Sequence, residues 1–224
     1  MRTEQPKVIH LKDYQAPEYL IDETHLTFEL YEDRTLVHAQ LVMRRNPERP
    51  AGKLPPLELH GQELELLSIA LNDRELGPGD YQISSDCLSL QPDSDAFVID
   101  SSVVIHPETN TALEGLYKSG SMFCTQCEAE GFRKITYYLD RPDVMSKFTT
   151  TVSAEQKAYP VLLSNGNPIA SGSEDNGRHW ATWEDPFKKP AYLFALVAGD
   201  LWCVEDSFTT MSGRNVALRI YVEP

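Results

Sequence analysis

Residues 126–131 contain the side chains of this sequence that are best suited to chemistry. In an extended backbone alternate side chains share a face, so Gln126 and Glu128 would point in the same direction. An amide oxygen and a carboxylate on one face could together bind an ammonium group through charge-assisted hydrogen bonds. The same residues would also suit a solvated acidic loop that performs no chemistry. From the residues alone, both interpretations remain open.

Cys124 and Cys127 form a Cys-x-x-Cys pair, a spacing found in redox sites and in zinc sites. A structural zinc usually needs a second such pair, and Cys87 and Cys203 are single and distant in the sequence. A thioredoxin-like site needs a βαβ setting, whereas the surrounding sequence has the pattern of strands. Incidental spacing is therefore favoured over metal binding or redox use.

The histidines are scattered along the chain, and none begins a His-Glu-x-x-His motif. They are His10, His25, His38, His60, His106 and His179. We expect them to be solvated or hydrogen bonded, and we assign no metal ligand and no catalytic residue to these positions. The sequence also contains no Gly-rich phosphate loop and no Gly-x-Ser-x-Gly motif.

Charge and composition restrict the possible partners and compartments. The 224 residues have a formal net charge of −14, which disfavours nucleic acid and an anionic membrane surface as partners. No apolar run is long enough to cross a bilayer, and residues 1–12 contain no apolar core of a secretory signal. Four cysteines are too few for a disulfide scaffold, so the predicted compartment is the cytoplasm.

The elements that must position Gln126 and Glu128 are predicted to be strands, because apolar residues recur with period two. The spacing of strands and turns indicates an all-β sandwich or a curved sheet. Residues 110–131 lack a strand pattern, residues 140–143 predict a short helix, and residues 164–167 predict a tight turn. The predicted strands cover residues 26–30, 37–43, 57–60, 64–71, 81–83, 87–90, 97–105, 148–152, 161–163, 180–183, 192–198, 203–210 and 216–222.

Residues 124–133, Cys-Thr-Gln-Cys-Glu-Ala-Glu-Gly-Phe-Arg, and residues 135–144 form the most distinctive stretch of the chain. Together with residues 162–167, 176–180 and 192–200, they resemble the amino-terminal domain of the aminopeptidase N family of zinc metalloproteases. The opening, Lys12-Asp13-Tyr14 followed by Ala16-Pro17, resembles it more loosely. The resemblance thus extends over nearly the whole chain.

The resemblance implies an all-β fold with a domain boundary near Asp200. Residues 1–200 would form a saddle-like β-sandwich, the amino-terminal domain of the family. Residues 201–224 would form the first β-hairpin of a thermolysin-like catalytic domain, truncated at Pro224. The strand pattern restarts after Asp200 independently of the resemblance. Because a final hairpin with nothing after it leaves an unprotected edge, we expect the natural protein to continue.

The resemblance also implies a function for the full-length parent, which would be a zinc-dependent hydrolase. The family removes amino-terminal residues from peptides, with zinc held by His-Glu-x-x-His and a downstream glutamate. A Gly-x-Met-Glu-Asn loop helps to hold the free α-amine. Neither motif occurs in these 224 residues. The implied partners are peptides with a free amino terminus and the remaining domains of the same chain, while this part binds no cofactor.

In that family, a Gln-x-Glu motif of the first domain contacts the substrate α-amine, and it maps onto Gln126 and Glu128. The resemblance therefore favours the ammonium-binding interpretation over the acidic loop. An aminopeptidase must hold the free ammonium at a fixed distance from the scissile carbonyl, which a fixed carboxylate can do. Glu130 is adjacent, but the family pattern gives it no such role. Asp140, Arg141 and Pro142 are interpreted as structural residues that fix the loop after the amine-binding pair. The alternative is a free-standing, non-catalytic β-sandwich module that binds peptides or proteins.

The 224-residue chain alone should not hydrolyse aminoacyl anilides, because it has none of the zinc ligands that the family uses. The measurement is release of the anilide chromophore by the purified chain, with and without added zinc. Zinc-dependent turnover by the pure chain would contradict this expectation.

Overall fold

The structure is a computed structural model that describes residues 10–50 and 52–224. Apart from short 3₁₀ turns at Leu11–Asp13, Phe132–Lys134 and Ala191–Leu193, its regular elements are strands. No helix in these residues is long and apolar enough to span a bilayer. The strands are β1 (Tyr19–Leu30), β2 (Thr35–Arg45), β3 (Leu57–His60), β4 (Glu65–Leu71), β5 (Arg74–Glu75), β6 (Tyr81–Ile83), β7 (Cys87–Leu90), β8 (Ala96–Ile105), β9 (Gly115–Ser119), β10 (Met122–Gln126), β11 (Met145–Glu155), β12 (Val161–Ser164), β13 (Asn167–Ser173), β14 (Arg178–Pro190), β15 (Leu196–Gly199), β16 (Trp202–Thr209) and β17 (Asn215–Val222).

The strands form one large sheet and three smaller ones. The large sheet has eight strands in the order β13-β14-β11-β1-β2-β8-β4-β5. A four-stranded sheet has the order β12-β15-β10-β9, and a three-stranded sheet has the order β3-β7-β6. Most neighbours are antiparallel, but β1 and β11 are parallel. The long connection between them contains the three-stranded sheet and the β9–β10 hairpin of the four-stranded sheet.

A β-bulge near the start of β1 explains why this strand begins earlier than the alternation predicted. Tyr19 and Ile21 are buried before the bulge, and Thr24 and Leu26 are buried after it. The register against β2 shifts between Ile21 and Glu23. Because one extra residue moves every later side chain to the other face, the period-two pattern is interrupted there.

The three larger sheets share one hydrophobic core, which confirms the predicted β-sandwich. The large sheet contributes Phe28 and Phe148, the four-stranded sheet contributes Phe123 and Leu196, and the three-stranded sheet contributes Leu59. Each of these side chains is at most 2% exposed. The small sheets therefore form a second layer against the large one.

The prediction that residues 110–131 lack strands is wrong, because β9 and β10 form a hairpin there. Their register runs from Met122 opposite Ser119 to Gln126 opposite Gly115. The two strands have five residues each, and many of their side chains are polar or only half-buried. Two strands that are so short and polar show little alternation of apolar and polar residues. Their strand conformation therefore depends on packing against the shared core.

The short helix predicted at residues 140–143 is also absent, and a turn takes its place. Arg141 there donates hydrogen bonds to both carboxylate oxygens of Asp143, at 2.8 and 2.7 Å, and to the carbonyl oxygen of Gln15, at 2.8 Å. These contacts use the charged side chains for tertiary bonding rather than for capping a helix.

The strand predicted over residues 192–198 is shorter in the structure, which places a 3₁₀ turn at Ala191–Leu193 and a strand only at Leu196–Gly199. Between the turn and the strand, Ala195 N donates a hydrogen bond to the side-chain oxygen Oδ1 of Asn165 at 2.7 Å. This backbone N–H is therefore bonded to a side chain and not to a neighbouring strand. The predicted tight turn around Asn165 and Gly166 is confirmed between β12 and β13.

The predicted carboxy-terminal hairpin is confirmed, and β16 and β17 form a two-stranded sheet of their own. Its apolar side chains are exposed: Trp202 is 66% exposed, Phe208 is 58% exposed and Ile220 is 63% exposed. Such a surface is typical of a protein interface rather than of a solvated hairpin.

Phe132 lies at the centre of an aromatic cluster that joins the β10–β11 connection to the large sheet. Its ring centroid is 4.8 Å from that of Tyr138, 6.0 Å from that of Phe148 and 5.3 Å from that of Phe194. The Tyr138 hydroxyl is within 3.1 Å of Thr24 Oγ1 in β1, so the buried ring also has a hydrogen-bond partner. Pairs at such distances add to the energy of apolar burial.

Phe132→Ala should lower the free energy of unfolding by about 3–5 kcal/mol, because it leaves a cavity in a core that cannot close around it. The measurement is urea denaturation followed by tryptophan fluorescence. Phe187→Ala is the matched control, since Phe187 is 78% exposed, and its cost should be below about 0.5 kcal/mol. Equal losses in the two variants would contradict the central place of Phe132.

Candidate functional site

Gln126 and Glu128 lie where β10 leaves the four-stranded sheet. Gln126 is the last residue of β10, Cys127 is 2% exposed, and both Gln126 and Glu128 are exposed. The Gln126 amide Nε2 is 3.4 Å from the carbonyl oxygen of Glu128, to which it donates. The Glu128–Ala129 peptide is cis. The structure thus places both predicted side chains at the surface, on either side of a buried residue.

Neighbouring strands fix the end of β10 on both sides. Gln126 is opposite Gly115 of β9, and Cys124 is opposite Val197 of β15. Beside them, Thr125 Oγ1 accepts a hydrogen bond from Leu196 N at 2.9 Å. Gln126 therefore starts from a backbone position that the sheet determines.

After Gln126 the chain turns tightly, and Gly131 makes this turn possible. Gly131 N donates to the carbonyl oxygen of Cys127 at 2.8 Å. A Cβ atom on Gly131 would lie 2.6 Å from the carbonyl oxygen of Gln126 and 3.0 Å from Gly115 N. Since both of these are backbone atoms that cannot move aside, only glycine fits at this position.

Residues 127–144, here called the connecting segment, contain a buried ion pair between Arg133 and Asp140. Asp140 Oδ2 accepts hydrogen bonds from Arg133 N at 3.1 Å and from Arg133 Nε at 3.0 Å. Arg133 Nη2 also donates to the carbonyl oxygen of Asp140 at 3.1 Å. The two side chains are 12% and 2% exposed. Burial raises the pKa of the Asp140 carboxyl, and the Arg133 guanidinium opposes that shift.

The two glutamates of the site differ in their partners. Glu130 Oε1 is 3.4 Å from Arg133 Nη2, so its charge is partly compensated. Within residues 10–50 and 52–224, the Glu128 carboxylate has no cation within ion-pair distance. Of the two, Glu128 is therefore the carboxylate that no cation of the described residues competes for, and it can accept hydrogen bonds from a positively charged ligand.

His60, at the end of β3, fixes the far end of the connecting segment. His60 and Tyr138 exchange backbone hydrogen bonds of 2.8 and 3.0 Å, and His60 Nδ1 accepts from Asp140 N at 3.2 Å. An imidazole nitrogen can accept only when it carries no proton. Burial lowers the pKa of His60, and the nearby Arg133 lowers it further, so the accepting form is the stable one near neutral pH.

The Cys-x-x-Cys pair has neither the setting nor the ionisation of a redox site. Cys124 is half-buried in β10, Cys127 is buried, and both are free thiols. Burial raises the pKa of the Cys127 thiol, which disfavours the nucleophilic thiolate. This agrees with incidental spacing.

The residues that could serve as metal ligands do not converge. Within the part of the chain that the structure describes, no group of three or more His, Cys, Asp or Glu side chains could hold a metal ion. His179 Nε2 lies 2.7 Å from the carbonyl oxygen of Tyr159, and His38 Nδ1 lies 2.8 Å from Ser102 Oγ. The described side chains therefore do not fit a catalytic zinc.

A polar trough of about 620 Å³ lies away from Gln126 and Glu128, on the outer face of the large sheet. His25, His38 and Asp100 are among its lining residues. An antiparallel sheet with one face on the core commonly has a solvated polar face, and the trough needs no other explanation.

Arg133 and His60 were not among the predicted site residues. Asp140 was predicted as a structural residue, at a helix start and in the loop that follows the amine-binding pair, and not as the partner of a buried cation. One signal was present in the sequence. Asp140 directly follows the apolar residues 137–139, so a carboxylate there would be buried and would need a cation. Nothing in the sequence identified Arg133 rather than Lys134 as that cation.

Comparisons with known proteins show the family of the chain. The family profile described as "Peptidase M1 N-terminal domain" matches residues 80–193. Aminopeptidase N of Caulobacter vibrioides is 53% identical over 224 residues, which are 100% of this chain and 25% of that protein. Aminopeptidase N of Escherichia coli is 49% identical over 221 residues, which are 99% of this chain and 25% of that protein.

The fold is also similar to that of a solved enzyme. The crystal structure of Legionella pneumophila aminopeptidase A in complex with aspartic acid has a TM-score of 0.91 and 34% identity to this chain. The match covers 96% of this chain and 25% of that chain. This chain therefore spans about a quarter of the length of the relatives that it matches.

His60→Asn should reduce the dependence of stability on pH. Because the folded pKa of His60 lies below its unfolded value, the unfolded chain takes up the proton first. The free energy of unfolding should therefore fall as pH drops through about 6.5. An asparagine oxygen can accept from Asp140 N without titrating, so urea denaturation of the variant from pH 8 to pH 5 should show a smaller decrease.

The control is His60→Ala, which leaves the buried Asp140 N–H unpaired at every pH. It should cost about 1–3 kcal/mol already at pH 8. Parallel pH profiles for the wild type and His60→Asn would show that protonation of His60 does not destabilise the fold, which would contradict a neutral, accepting His60.

Proposed function

This chain belongs to the M1 peptidase family, as part of its amino-terminal domain, and on that premise we propose that the full-length protein is a zinc-dependent aminopeptidase. The reaction is hydrolysis of the first peptide bond of peptides that have a free amino terminus. The observation that carries the proposal is identity of about half over the whole chain to two proteins named aminopeptidase N. That relation favours a domain of a larger enzyme over a free-standing binding module.

The role of this domain is to bind the substrate α-amine through Gln126 and Glu128. The unpaired Glu128 carboxylate accepts charge-assisted hydrogen bonds from the ammonium, and the Gln126 amide oxygen adds a neutral acceptor. Two acceptors fixed at the end of a strand measure the distance from the amine to the scissile carbonyl. A blocked amino terminus has neither the charge nor the three donors, so the site excludes it.

The zinc and its ligands belong, in this proposal, to a part of the protein outside these 224 residues. Residues 1–200 form the amino-terminal domain, and residues 201–224 begin the next one. The exposed Trp202, Phe208 and Ile220 of the final hairpin support this division, because further domains of the same chain would cover them. The proposed compartment is the cytoplasm, and the four free cysteines support it.

Glu128→Ala in the full-length protein should lower kcat/KM for a chromogenic aminoacyl anilide by about 10- to 100-fold, because a hydrogen bond to a charged group is lost. Gln126→Ala should cost less, since its contact is neutral. The measurement is initial-rate kinetics at fixed zinc content.

The matched control is Glu75→Ala, which also removes an exposed carboxylate, here from β5, the edge strand of the large sheet. Its kinetics should equal those of the wild type. A Glu128→Ala enzyme that also equals the wild type would refute the amine-binding role.

A further inference from the structure

We propose that Arg133 and Asp140 are positioning residues for the amine-binding pair, acting through the connecting segment on Glu128. This inference rests on the proposed function. It concerns how the segment holds its geometry, whereas the proposed function concerns what Glu128 binds.

Glu128 lies in a segment that the sheets do not hold directly. Between β10 and β11, the one bridge to another strand within the described residues is the pair His60 and Tyr138. Outside contacts reach its middle and far end, where Gln62 N donates to the carbonyl oxygen of Arg133 at 2.9 Å and His60 bonds Tyr138. The turn that carries Glu128 is held mainly by hydrogen bonds within the segment. An 18-residue connection of this kind is unusual in a compact domain, and function is a common reason for one.

A chain of hydrogen bonds leads from the ion pair to the residue before Glu128. Asp140 Oδ2 accepts from Arg133 N, and the next residue, Lys134, donates its N–H to the carbonyl oxygen of Gly131 at 3.1 Å. Gly131 N in turn donates to the carbonyl oxygen of Cys127 at 2.8 Å. Movement of Arg133 would therefore displace Gly131, Cys127 and the attached Glu128.

A buried ion pair fixes the positions of its two residues more than it stabilises the fold. Desolvation offsets much of the attraction between two buried charges, so apolar residues could stabilise this segment equally well. A guanidinium, however, can donate hydrogen bonds only in certain directions, because its N–H groups form a rigid, planar fork. Here Arg133 Nε and Nη2 contact the carboxylate and the carbonyl of the same residue, Asp140. This arrangement determines the path of the chain between them.

Arg133 also sets the charge of the site. Its Nη2 lies 3.4 Å from Glu130 Oε1, on the exposed side of the ion pair. Glu130 therefore has a cation beside it, whereas Glu128 has none within ion-pair distance among the described residues. The Glu128 carboxylate is thus open to the positive charge of an α-ammonium group.

The test is a double-mutant cycle in the full-length protein with Glu128→Ala, Asp140→Asn and the combination of both. Asp140→Asn keeps the shape of the side chain and removes its charge. It should lower kcat/KM for a free-amine aminoacyl anilide by about tenfold, because a small displacement of a binding group is costly. In the double variant that loss should disappear, so that its kcat/KM lies within about twofold of Glu128→Ala alone.

Asp143→Asn is the control within the same segment, since Asp143 forms a more exposed ion pair with Arg141 and lies beyond Asp140. It should retain wild-type kcat/KM. Zinc content and the thermal midpoint are measured for every variant. If Asp140→Asn does not fold, Arg133→Lys replaces it in the cycle, because a lysine keeps the charge but not the two-directional contact.

The outcomes separate the two proposals. A tenfold loss that persists on the Glu128→Ala background would show a merely structural effect and overturn the positioning role. Wild-type kinetics for Asp140→Asn would also overturn it, and both results would leave the amine role of Glu128 intact. Wild-type kinetics for Glu128→Ala alone would instead overturn the proposed function, and this inference with it.

Discussion

The burial of Phe132 is the interaction on which the rest of the structure most depends. Its ring contacts Tyr138 of the connecting segment, Phe148 of β11 and Phe194 beside β15. Through these three rings, one irregular segment is packed between the large sheet and the four-stranded sheet. The contact also brings the next residue, Arg133, into the protein interior, so a buried partner for its charge becomes a requirement.

Asp140 meets that requirement, and the two charges together decide the course of the chain. Neutral His60 completes the arrangement by accepting from Asp140 N. Each of these polar groups is buried or nearly so, and each contacts the same short stretch of backbone. The exposed residues Gln126 and Glu128 thus belong to a loop whose interior side chains are hydrogen bonded to one another. Such support can give a surface site a fixed geometry.

The sequence was sufficient to predict those elements in which local pattern and tertiary packing agree. The hairpins β6–β7 and β16–β17 and the turn between β12 and β13 all follow from alternation and turn residues. The start of β1 could not be predicted in this way, because the bulge at Asp22 reverses the alternation of buried and exposed side chains. The β9–β10 hairpin could not either, because packing against β15 rather than its own pattern makes it extended.

The candidate site shows the same division. Gln126 and Glu128 were predicted from a motif, because their roles depend on residues close in sequence. The partnership of Arg133 with Asp140 and His60 depends on β3 lying beside the connecting segment, and His60 is far from both in the sequence. No local pattern contains that information. The sequence therefore did not predict that Arg133, Asp140 and His60 would come together, and the amine-binding role of Gln126 and Glu128 stays a prediction.

The central claim is that Glu128 and Gln126 hold the α-ammonium of a peptide. The most direct measurement is a crystal structure of the full-length protein with a bound amino acid. Our account predicts the α-amino nitrogen at about 2.7–3.1 Å from a Glu128 carboxylate oxygen, with the Gln126 amide oxygen also in hydrogen-bond range. An amine bound entirely by other residues, with the Glu128 carboxylate beyond hydrogen-bond distance, would contradict it.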